Sequence, residues 1–193
     1  PGSMAVGREI FQEGLIIPPV KLVKTSQIEV DILEIILSNV RTPQERRGDL
    51  SAQIAANQRG VERLVELFTR YGAAEVVEAE AQLLAYTQRM TRRLIESIPD
   101  GVYHFTDFLD DDGVTNIPVL IKVAVTIQGD EALVDFTGSS SQQSGSINAV
   151  FAITLSAVNY VFRCLLGLDV PNNSGCMAPI KVVAPPGTVV NAL

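Results

Sequence analysis

The hydrophobic pattern of the chain changes at Pro99-Asp100-Gly101, and this change constrains the possible folds more than any other feature. Before these residues, apolar side chains recur with the period of an α-helix. After them, apolar side chains fall in short runs rich in β-branched and aromatic residues. Proline, aspartate and glycine in succession are typical of a turn. We therefore predict an α+β fold in which a helical segment, residues 7–98, packs with a β-rich segment, residues 99–193.

The helical segment is predicted to contain about three helices. Ser26-Gln27-Ile28-Glu29 matches a capping box, so the first helix begins there, and it ends at Thr42-Pro43. The second helix runs from about Asp49 to Tyr71, where Gly72 stops it, and the third runs from about Ala74 to Ser97. The core-facing stripe of the third helix is expected to include Val76, Leu83, Leu84, Met90, Leu94 and Ile95.

The β-rich segment is predicted to form an antiparallel meander, followed by a buried helix and a short edge strand. The three strands of the meander are Val102–Leu109, Val114–Ile127 and Ala132–Phe136. The helix, from about Asn148 to Leu166, is apolar around most of its circumference, so we expect burial on several sides. The prolines on either side of the last short strand indicate the edge of a sheet.

Composition and charge exclude several classes of protein. The chain has 193 residues, of which 47% are hydrophobic, so it can bury a core. Its formal net charge of −7 argues against sequence-independent binding of nucleic acid. No apolar run approaches the roughly 20 residues that cross a bilayer, and no signal peptide is recognisable, so we expect a cytoplasmic protein. Residues 1–6 resemble a cloning scar and linker and are left out of the fold prediction.

Neither the cysteines nor the acidic residues form a recognisable metal-binding pattern. Cys164 and Cys176 are too few for a disulfide framework, and they lack metal-ligand spacing with the single histidine, His104. We expect both thiols to be reduced and buried. The run Asp110-Asp111-Asp112-Gly113 lacks the later ligands of a calcium loop and is predicted to be a hairpin turn. No metal site is therefore expected in this chain.

A stripe of short polar side chains on the second helix is the strongest candidate for a functional site. Asp49, Gln53 and Asn57 are four residues apart and therefore share one helix face. Carboxylate and carboxamide groups on short side chains hold a fixed geometry, which favours recognition of a ligand over simple solvation. A structural explanation is equally open, in which Asp49 is the N-cap and both amides pack against a neighbouring loop.

A second candidate is the polar loop Asp135–Asn148, which contains several serines and two glycines. Backbone N–H groups and hydroxyls in such a loop can approach a small polar ligand, and the loop leads into the predicted helix N-terminus at Asn148. The loop matches neither a Walker motif nor a dinucleotide-binding motif. A mobile loop without a ligand is the alternative interpretation.

Several motifs, in order along the chain, resemble those of the hydantoinase B family. They are Arg8–Pro19, Asn39–Pro43, Gly48–Gly60, Val134–Ser139 with Gly145 and Asn148, Asn173–Ile180, and Pro185–Gly187. The resemblance spans the whole chain after residue 6. This family contains the B subunits of ATP-dependent N-methylhydantoinases, the corresponding half of 5-oxoprolinase, and large subunits of acetone and acetophenone carboxylases.

The resemblance implies that the chain is a central fragment of a longer B subunit that helps to open a cyclic amide such as hydantoin, N-methylhydantoin or 5-oxoproline. A partner A subunit would bind ATP and Mg²⁺ and phosphorylate the substrate oxygen. Asp49 would then be the catalytic base or an orienting group. Gln53, Asn57 and Asn148 would form hydrogen bonds with the substrate ring.

The resemblance also implies that part of the site lies elsewhere, because family members are several hundred residues long. We expect the fragment to be inactive alone, to bind no cofactor itself, and to self-associate through exposed apolar surface. Any divalent metal would belong to the upstream part, where the carboxylase branch has a motif rich in Asp and His. Two alternatives stay open: a fragment of an ATP-dependent acetone or acetophenone carboxylase, and a non-catalytic scaffold that binds the A subunit.

Overall fold

The computed structural model describes residues 14–167 and 169–193. The predicted cloning scar and the start of the motif Arg8–Pro19 lie outside these residues, and residues 14–19 contain no helix or strand. The described residues form two compact units, one ending at Val77 and the other beginning at Glu78. The α+β class is confirmed, with helices before Gly101 and most strands after it. The packing of the two predicted segments into one fragment stays a prediction.

The described part of the first unit contains a short β-hairpin followed by two helices. Its elements are β1 (Val23–Lys24), β2 (Gln27–Ile28), α1 (Val30–Ser38) and α2 (Pro43–Tyr71). The predicted capping box is wrong, because Ser26 lies in the hairpin turn with a φ of 65° and Glu29 is the N-cap of α1. The residues between those two positions pair as a strand, so they are unable to start a helix.

Helix α2 begins six residues earlier than predicted. Pro43 occupies its first turn, where a missing N–H and a fixed φ are favourable, and Thr42 is the N-cap. Asp49 therefore lies in the helix interior, and the interpretation of Asp49 as an N-cap is wrong. The helix ends at Gly72 as predicted, with φ 85° at that glycine. None of its 29 residues is fully buried.

Helix α3 (Ala73–Glu96) leads into the second unit. There its buried line consists of Thr87, Thr91 and Ile95, which are four residues apart. The predicted stripe is only partly correct, because Leu83 and Leu84 are exposed in the described structure. Two of these three buried residues are threonines, whose hydroxyls donate to backbone or amide oxygens. Their burial could not be predicted from the spacing of apolar residues.

The sheet of the second unit has four strands in the order β3 (Gly101–Leu109), β4 (Val119–Gln128), β5 (Glu131–Asp135) and β6 (Ile180–Val183). The first three strands form the predicted antiparallel meander. Strand β6 lies at an edge as predicted, and it runs parallel to β5. Strand β4 begins five residues after the predicted start because the preceding residues form a loop around Asp112.

Helix α4 (Phe151–Leu166) and the end of α3 cover one face of this sheet. The core contains Ile95 from α3, Val158 and Phe162 from α4, and Ile127, Ala132, Val134 and Ile180 from the strands. A short 3₁₀ helix, Ser174–Met177, precedes β6. A second cluster around Val119 and Val189 packs the C-terminal residues onto the other end of β4.

Helix α4 differs from the prediction in its start and its burial. It begins at Phe151, three residues after Asn148. Only one face, formed by Thr154, Val158 and Phe162, is buried by the described residues, whereas Tyr160 is 72% exposed. The prediction that both cysteines are buried is also wrong for Cys164, which lies outside the buried line of α4. Among the described residues, none of the helices is long and apolar enough to cross a membrane.

Candidate functional site

The polar stripe predicted on the second helix lies on α2, within the first unit. Asp49, Gln53 and Asn57 are all exposed in the described structure. Each step of four residues advances about 6 Å along a helix and turns it by about 40°, so the three side chains follow one face over about 12 Å. Helix α2 therefore places these three residues on one face, as predicted. Their roles in binding or catalysis stay predictions.

The carboxylate of Asp49 forms an ion pair on the same helix. Its Oδ2 lies 2.9 Å from Nη1 of Arg46, and both side chains are about half exposed. An exposed pair of this kind contributes at most about 1 kcal/mol to stability. The pair therefore orients the carboxylate without holding it strongly, and a ligand could compete with Arg46 for it.

The surface around this stripe is open within the described part of the first unit. Gly48 and Gly60 lie inside α2 at either end of the stripe, and no atom lies within 4 Å of a Cβ built on either one. A glycine inside a helix costs about 1 kcal/mol relative to alanine. No packing in the described structure explains why two glycines stand at these positions.

Asn148 lies in the second unit, where its side chain holds a loop together. Its Oδ1 accepts from the N–H of Gln143 at 2.8 Å. Its Nδ2 donates to the carbonyl oxygens of Gln143 at 2.8 Å and Gly145 at 2.9 Å. The side-chain amide is thus engaged on both of its ends by the loop's own backbone. This arrangement gives Asn148 a structural function, and its predicted contact with a substrate ring stays untested.

The loop that Asn148 holds is packed directly against the loop between β3 and β4. A Cβ built on Gly145 would overlap the carbonyl oxygen of Asp112. Asp112 is buried, and its Oδ1 accepts from the N–H groups of Val114 at 2.9 Å and Thr115 at 2.5 Å. These backbone donors, that of Thr115 first, lower the pKa of the Asp112 carboxyl. The aspartate-rich run therefore lies in the loop that connects the antiparallel strands β3 and β4, and this loop, residues 110–118, is longer than the predicted hairpin turn.

Two serines of the polar loop extend the hydrogen bonding of the sheet. Ser140 Oγ accepts from the N–H of Leu120 at 2.9 Å, and Ser139 Oγ accepts from the N–H of Lys122 at 3.0 Å. Asp135 begins the loop, and the hydroxyl and N–H of Thr137 lower the pKa of its carboxyl. These bonds join the first part of the loop to β4.

A buried polar cluster at the 3₁₀ helix was not identified from the sequence. Thr87 Oγ1 donates to Asn173 Oδ1 at 2.6 Å, and that same oxygen accepts from the N–H of Gly175 at 2.9 Å. A Cβ on Gly175 would overlap Leu84 O and Thr87 Oγ1. Asn173 Nδ2 is buried and has no partner among the described residues. The motif Asn173–Cys176 was the only part of this cluster that could be recognised in the sequence. The partner of Asn173, Thr87, is 86 residues away in the chain.

Cys176, next in this motif, has no arrangement for nucleophilic catalysis. The residue is buried, and its Sγ donates to Pro171 O at 3.5 Å. Among residues 14–167 and 169–193, no group of three or more His, Cys, Asp or Glu side chains could hold a metal ion.

The chain is similar to proteins of known family along its whole length. The model of the family described as hydantoinase B/oxoprolinase matches residues 1–193. An uncharacterized protein of Methanocaldococcus jannaschii is 36% identical over 99% of this chain and 33% of its own length. The caprolactamase subunit beta of Pseudomonas jessenii is 35% identical over 96% of this chain and 32% of its own length.

Solved structures agree with the sequence comparison. The crystal structure of the ATP-dependent caprolactamase from Pseudomonas jessenii superposes with a TM-score of 0.88 at 35% identity, over 96% of this chain and 32% of that chain. A nucleotide-free acetone carboxylase structure has a TM-score of 0.85 at 19% identity, over 94% of this chain and 26% of that one, and so shares the fold. The chain thus spans about a third of the length of the first relatives it matches. It belongs to the hydantoinase B/oxoprolinase family.

Proposed function

We propose that this chain is part of the B subunit of an ATP-dependent cyclic amide hydrolase. The substrate would be a lactam or imide ring, such as hydantoin, N-methylhydantoin, 5-oxoproline or caprolactam. The observation that carries this proposal is the likeness to the ATP-dependent caprolactamase, which combines 35% identity with a TM-score of 0.88. The acetone carboxylase shares the fold at only 19% identity, so a carboxylase is the second candidate.

The chemistry of a cyclic amide explains why such an enzyme would need ATP. An unactivated amide carbonyl is a poor electrophile, and transfer of a phosphoryl group to its oxygen creates a good leaving group. An A-type subunit would bind ATP and Mg²⁺ for that step. The B subunit would then orient the activated ring and a water molecule, and it would accept a proton from the water as its oxygen adds to the ring carbon. The ring C–N bond would break as the nitrogen takes up a proton, and a second water would hydrolyse the resulting acyl phosphate to a carboxylate and inorganic phosphate.

We assign these positioning roles to the exposed stripe on α2. Asp49 would accept the proton or orient the water, and Gln53 and Asn57 would form hydrogen bonds with the ring. Neighbouring members of the stripe are about 6 Å apart along the helix axis, so two of them can contact one small ring. We do not extend these roles to Asn148, whose side-chain amide is already bonded to its own loop in the second unit.

The proposed site is incomplete in this chain. About two thirds of the length of the first relatives lies outside it, so we expect the 193-residue chain to be inactive alone. Any divalent metal would be held by that remaining part. Large exposed apolar side chains on the described surface make self-association of the isolated chain an expected consequence.

The substrate is tested by ADP release from the longer parent protein, purified with its ATP-binding subunit. Release would be measured with hydantoin, N-methylhydantoin, 5-oxoproline and caprolactam, and with acetone or acetophenone plus bicarbonate. Stimulation by a cyclic amide, with formation of the ring-opened product, supports the proposal. Stimulation only by a ketone with bicarbonate contradicts it and favours the carboxylase.

The role of the stripe is tested by Asp49→Asn in the same complex. Loss of a general base lowers turnover by about 10² to 10⁴-fold, so we expect ring opening to fall by at least 100-fold while the complex still assembles. The matched control is Glu62→Gln. Glu62 lies on α2, pairs with an arginine three residues earlier at 2.8 Å, and points about 140° away from Asp49 around the helix axis.

Three results would contradict the assignment of Asp49. One is unchanged turnover in Asp49→Asn, which would favour a scaffold function for this helix. Another is an equal loss in both variants, which would indicate a general effect of charge on α2. Loss of assembly in Asp49→Asn alone would place the residue at a subunit contact and not in the reaction.

A further inference from the structure

Strand β3 forms an open edge of the four-stranded sheet. It pairs with β4 on one side, and among the described residues it has no strand on the other side. All nine of its residues are exposed. The opposite edge, β6, is only four residues long and is followed closely by Pro185 and Pro186, which are poor partners for a further strand.

The directions of the backbone groups of β3 follow from the hydrogen bonds of β4. The N–H groups of Leu120 and Lys122 donate to serine side chains on the side of β4 that faces away from β3. Adjacent residues of a strand alternate in direction, so the odd-numbered residues of β4 bond to their odd-numbered partners in β3. The even-numbered residues of β3 therefore direct their N–H and C=O groups outward. These residues are Val102, His104, Thr106 and Phe108.

One contact confirms this direction independently. The N–H of Phe108 donates to Oδ1 of Asp107 at 2.8 Å, which is a side-chain substitute for a missing neighbouring strand. The N–H groups of Val102, His104 and Thr106 have no comparable side-chain acceptor in the described structure. The outward N–H groups of Val102, His104 and Thr106 are thus available for pairing with another strand. The edge available for pairing ends before Phe108, whose N–H is bonded to Asp107.

Strand β3 has few of the features that normally prevent an edge from pairing, and Asp107, near its end, is its one charged side chain. It contains no proline or lysine, and its register with β4 is continuous from Gly101 to Leu109 without a bulge. Its aromatic side chains are strongly exposed, with 65% for Phe105 and 58% for Phe108. Phe105 is opposite Val123, which packs against the core, so this apolar surface continues the core side of the sheet.

We propose that a strand from the part of the longer polypeptide outside this chain pairs with β3 and extends the sheet to five strands. The length of that part supports this occupant, because the chain covers only 33% of the first relative and 32% of the caprolactamase subunit. The incoming strand would bond to Val102, His104 and Thr106. It would carry apolar side chains on the face shared with Phe105 and tolerate polar ones beside His104.

Hydrogen exchange of the unmodified longer protein tests this pairing. Residue-resolved exchange would compare the outward amides of Val102, His104 and Thr106 with the inward amides of Tyr103 and Phe105. We expect both groups to be protected to a similar extent. Outward amides that exchange at least 100-fold faster than the inward ones would overturn the proposal.

A proline substitution provides a second test in the longer protein. Thr106→Pro removes only an outward N–H, which a solvent-facing edge strand tolerates and a paired strand does not. We expect its melting temperature to fall by roughly 5 °C or more relative to Thr106→Val, because Thr106→Val keeps the N–H and a β-branched side chain. Equal melting temperatures for the two variants would contradict the pairing.

The identity of the incoming strand is tested by photo-crosslinking, with benzoylphenylalanine in place of Phe108 in the assembled complex. A crosslink within the same polypeptide, to a segment outside these 193 residues, supports the proposal. A crosslink to residues 1–13, to a second copy of the subunit or to the ATP-binding subunit would overturn it. These results do not depend on the proposed enzymatic activity.

Discussion

The contact between Gly145 and the loop of Asp112 provides the sharpest test of the fold. A Cβ on Gly145 would overlap the backbone carbonyl oxygen of Asp112, so a Gly145→Ala substitution forces two loops apart. Backbone atoms have no rotamer through which they could escape. The φ of Gly145 is not positive. A glycine is therefore required at this position because there is no space for a Cβ, and not because of an unusual backbone conformation.

The expected magnitude follows from what the displaced loop would lose. Overpacking in a fixed environment costs about 1–3 kcal/mol. Movement of Gly145 also breaks its carbonyl bond to Nδ2 of Asn148, and it loosens the bonds between Asn148 and Gln143. Each such bond contributes about 1 kcal/mol. We therefore expect Gly145→Ala to lower the free energy of unfolding by about 3–5 kcal/mol.

Urea denaturation of the 193-residue chain, followed by circular dichroism, measures this loss. For a urea dependence of about 2–3 kcal/mol per M, the midpoint should fall by about 1–2.5 M. Gly60→Ala is the control, because its added Cβ has open space in a helix and should raise stability by up to about 1 kcal/mol. A Gly145→Ala midpoint within about 0.3 M of the parent would refute the reasoning about this contact.

Three further predictions concern the second unit. Phe162→Ala should cost about 3–5 kcal/mol in urea denaturation, whereas Tyr160→Ala, at an exposed position of the same helix, should cost about 0.5 kcal/mol or less; equal losses would contradict the assigned core. Arg92→Ala, which removes bonds of 2.9 Å and 3.2 Å to two carboxylates, should cost about 1 kcal/mol or less and should cost less still in 1 M salt. Because their pKa values are lowered in the folded state, Asp112 and Asp135 should stabilise the fold above the ordinary aspartate pKa of about 3.9 and lose this effect as pH falls through their folded values. The urea midpoint of the parent should therefore fall in acid more steeply than that of Asp112→Asn, and identical pH profiles would contradict this.

Much of the candidate site could be predicted because it depends on local geometry. The spacing of Asp49, Gln53 and Asn57 requires only a regular helix, and α2 provides one. The position of Asn148 could not be predicted in the same way. Its three bonds to the backbone of Gln143 and Gly145 form only when the loop folds back on itself. No periodic pattern in the sequence predicts this loop conformation.

The errors in predicted burial have a common physical cause, which is that long-range packing decides which residues are buried. Leu83 and Leu84 fit the apolar stripe of α3, yet Thr87 and Thr91 are buried because their hydroxyls find acceptors within the unit. Helix α4 is apolar on most sides, but the described residues cover only one of them. The sequence shows that most of the surface of α4 is apolar, but it does not show which residues or which molecule cover that surface.

The sequence by itself determined the order and type of the longer helices and strands and the change from helices to strands at Pro99-Asp100-Gly101, because residue periodicity and turn residues act over a few positions. Its motifs indicated the family. It did not predict the short β1–β2 hairpin. Only the tertiary structure decided the parallel pairing of β6 with β5, the burial of Asp112 beneath Gly145, and the partnership of Thr87 with Asn173. Each of these joins residues more than 30 positions apart, where contact depends on how the whole unit packs and not on neighbours in the chain.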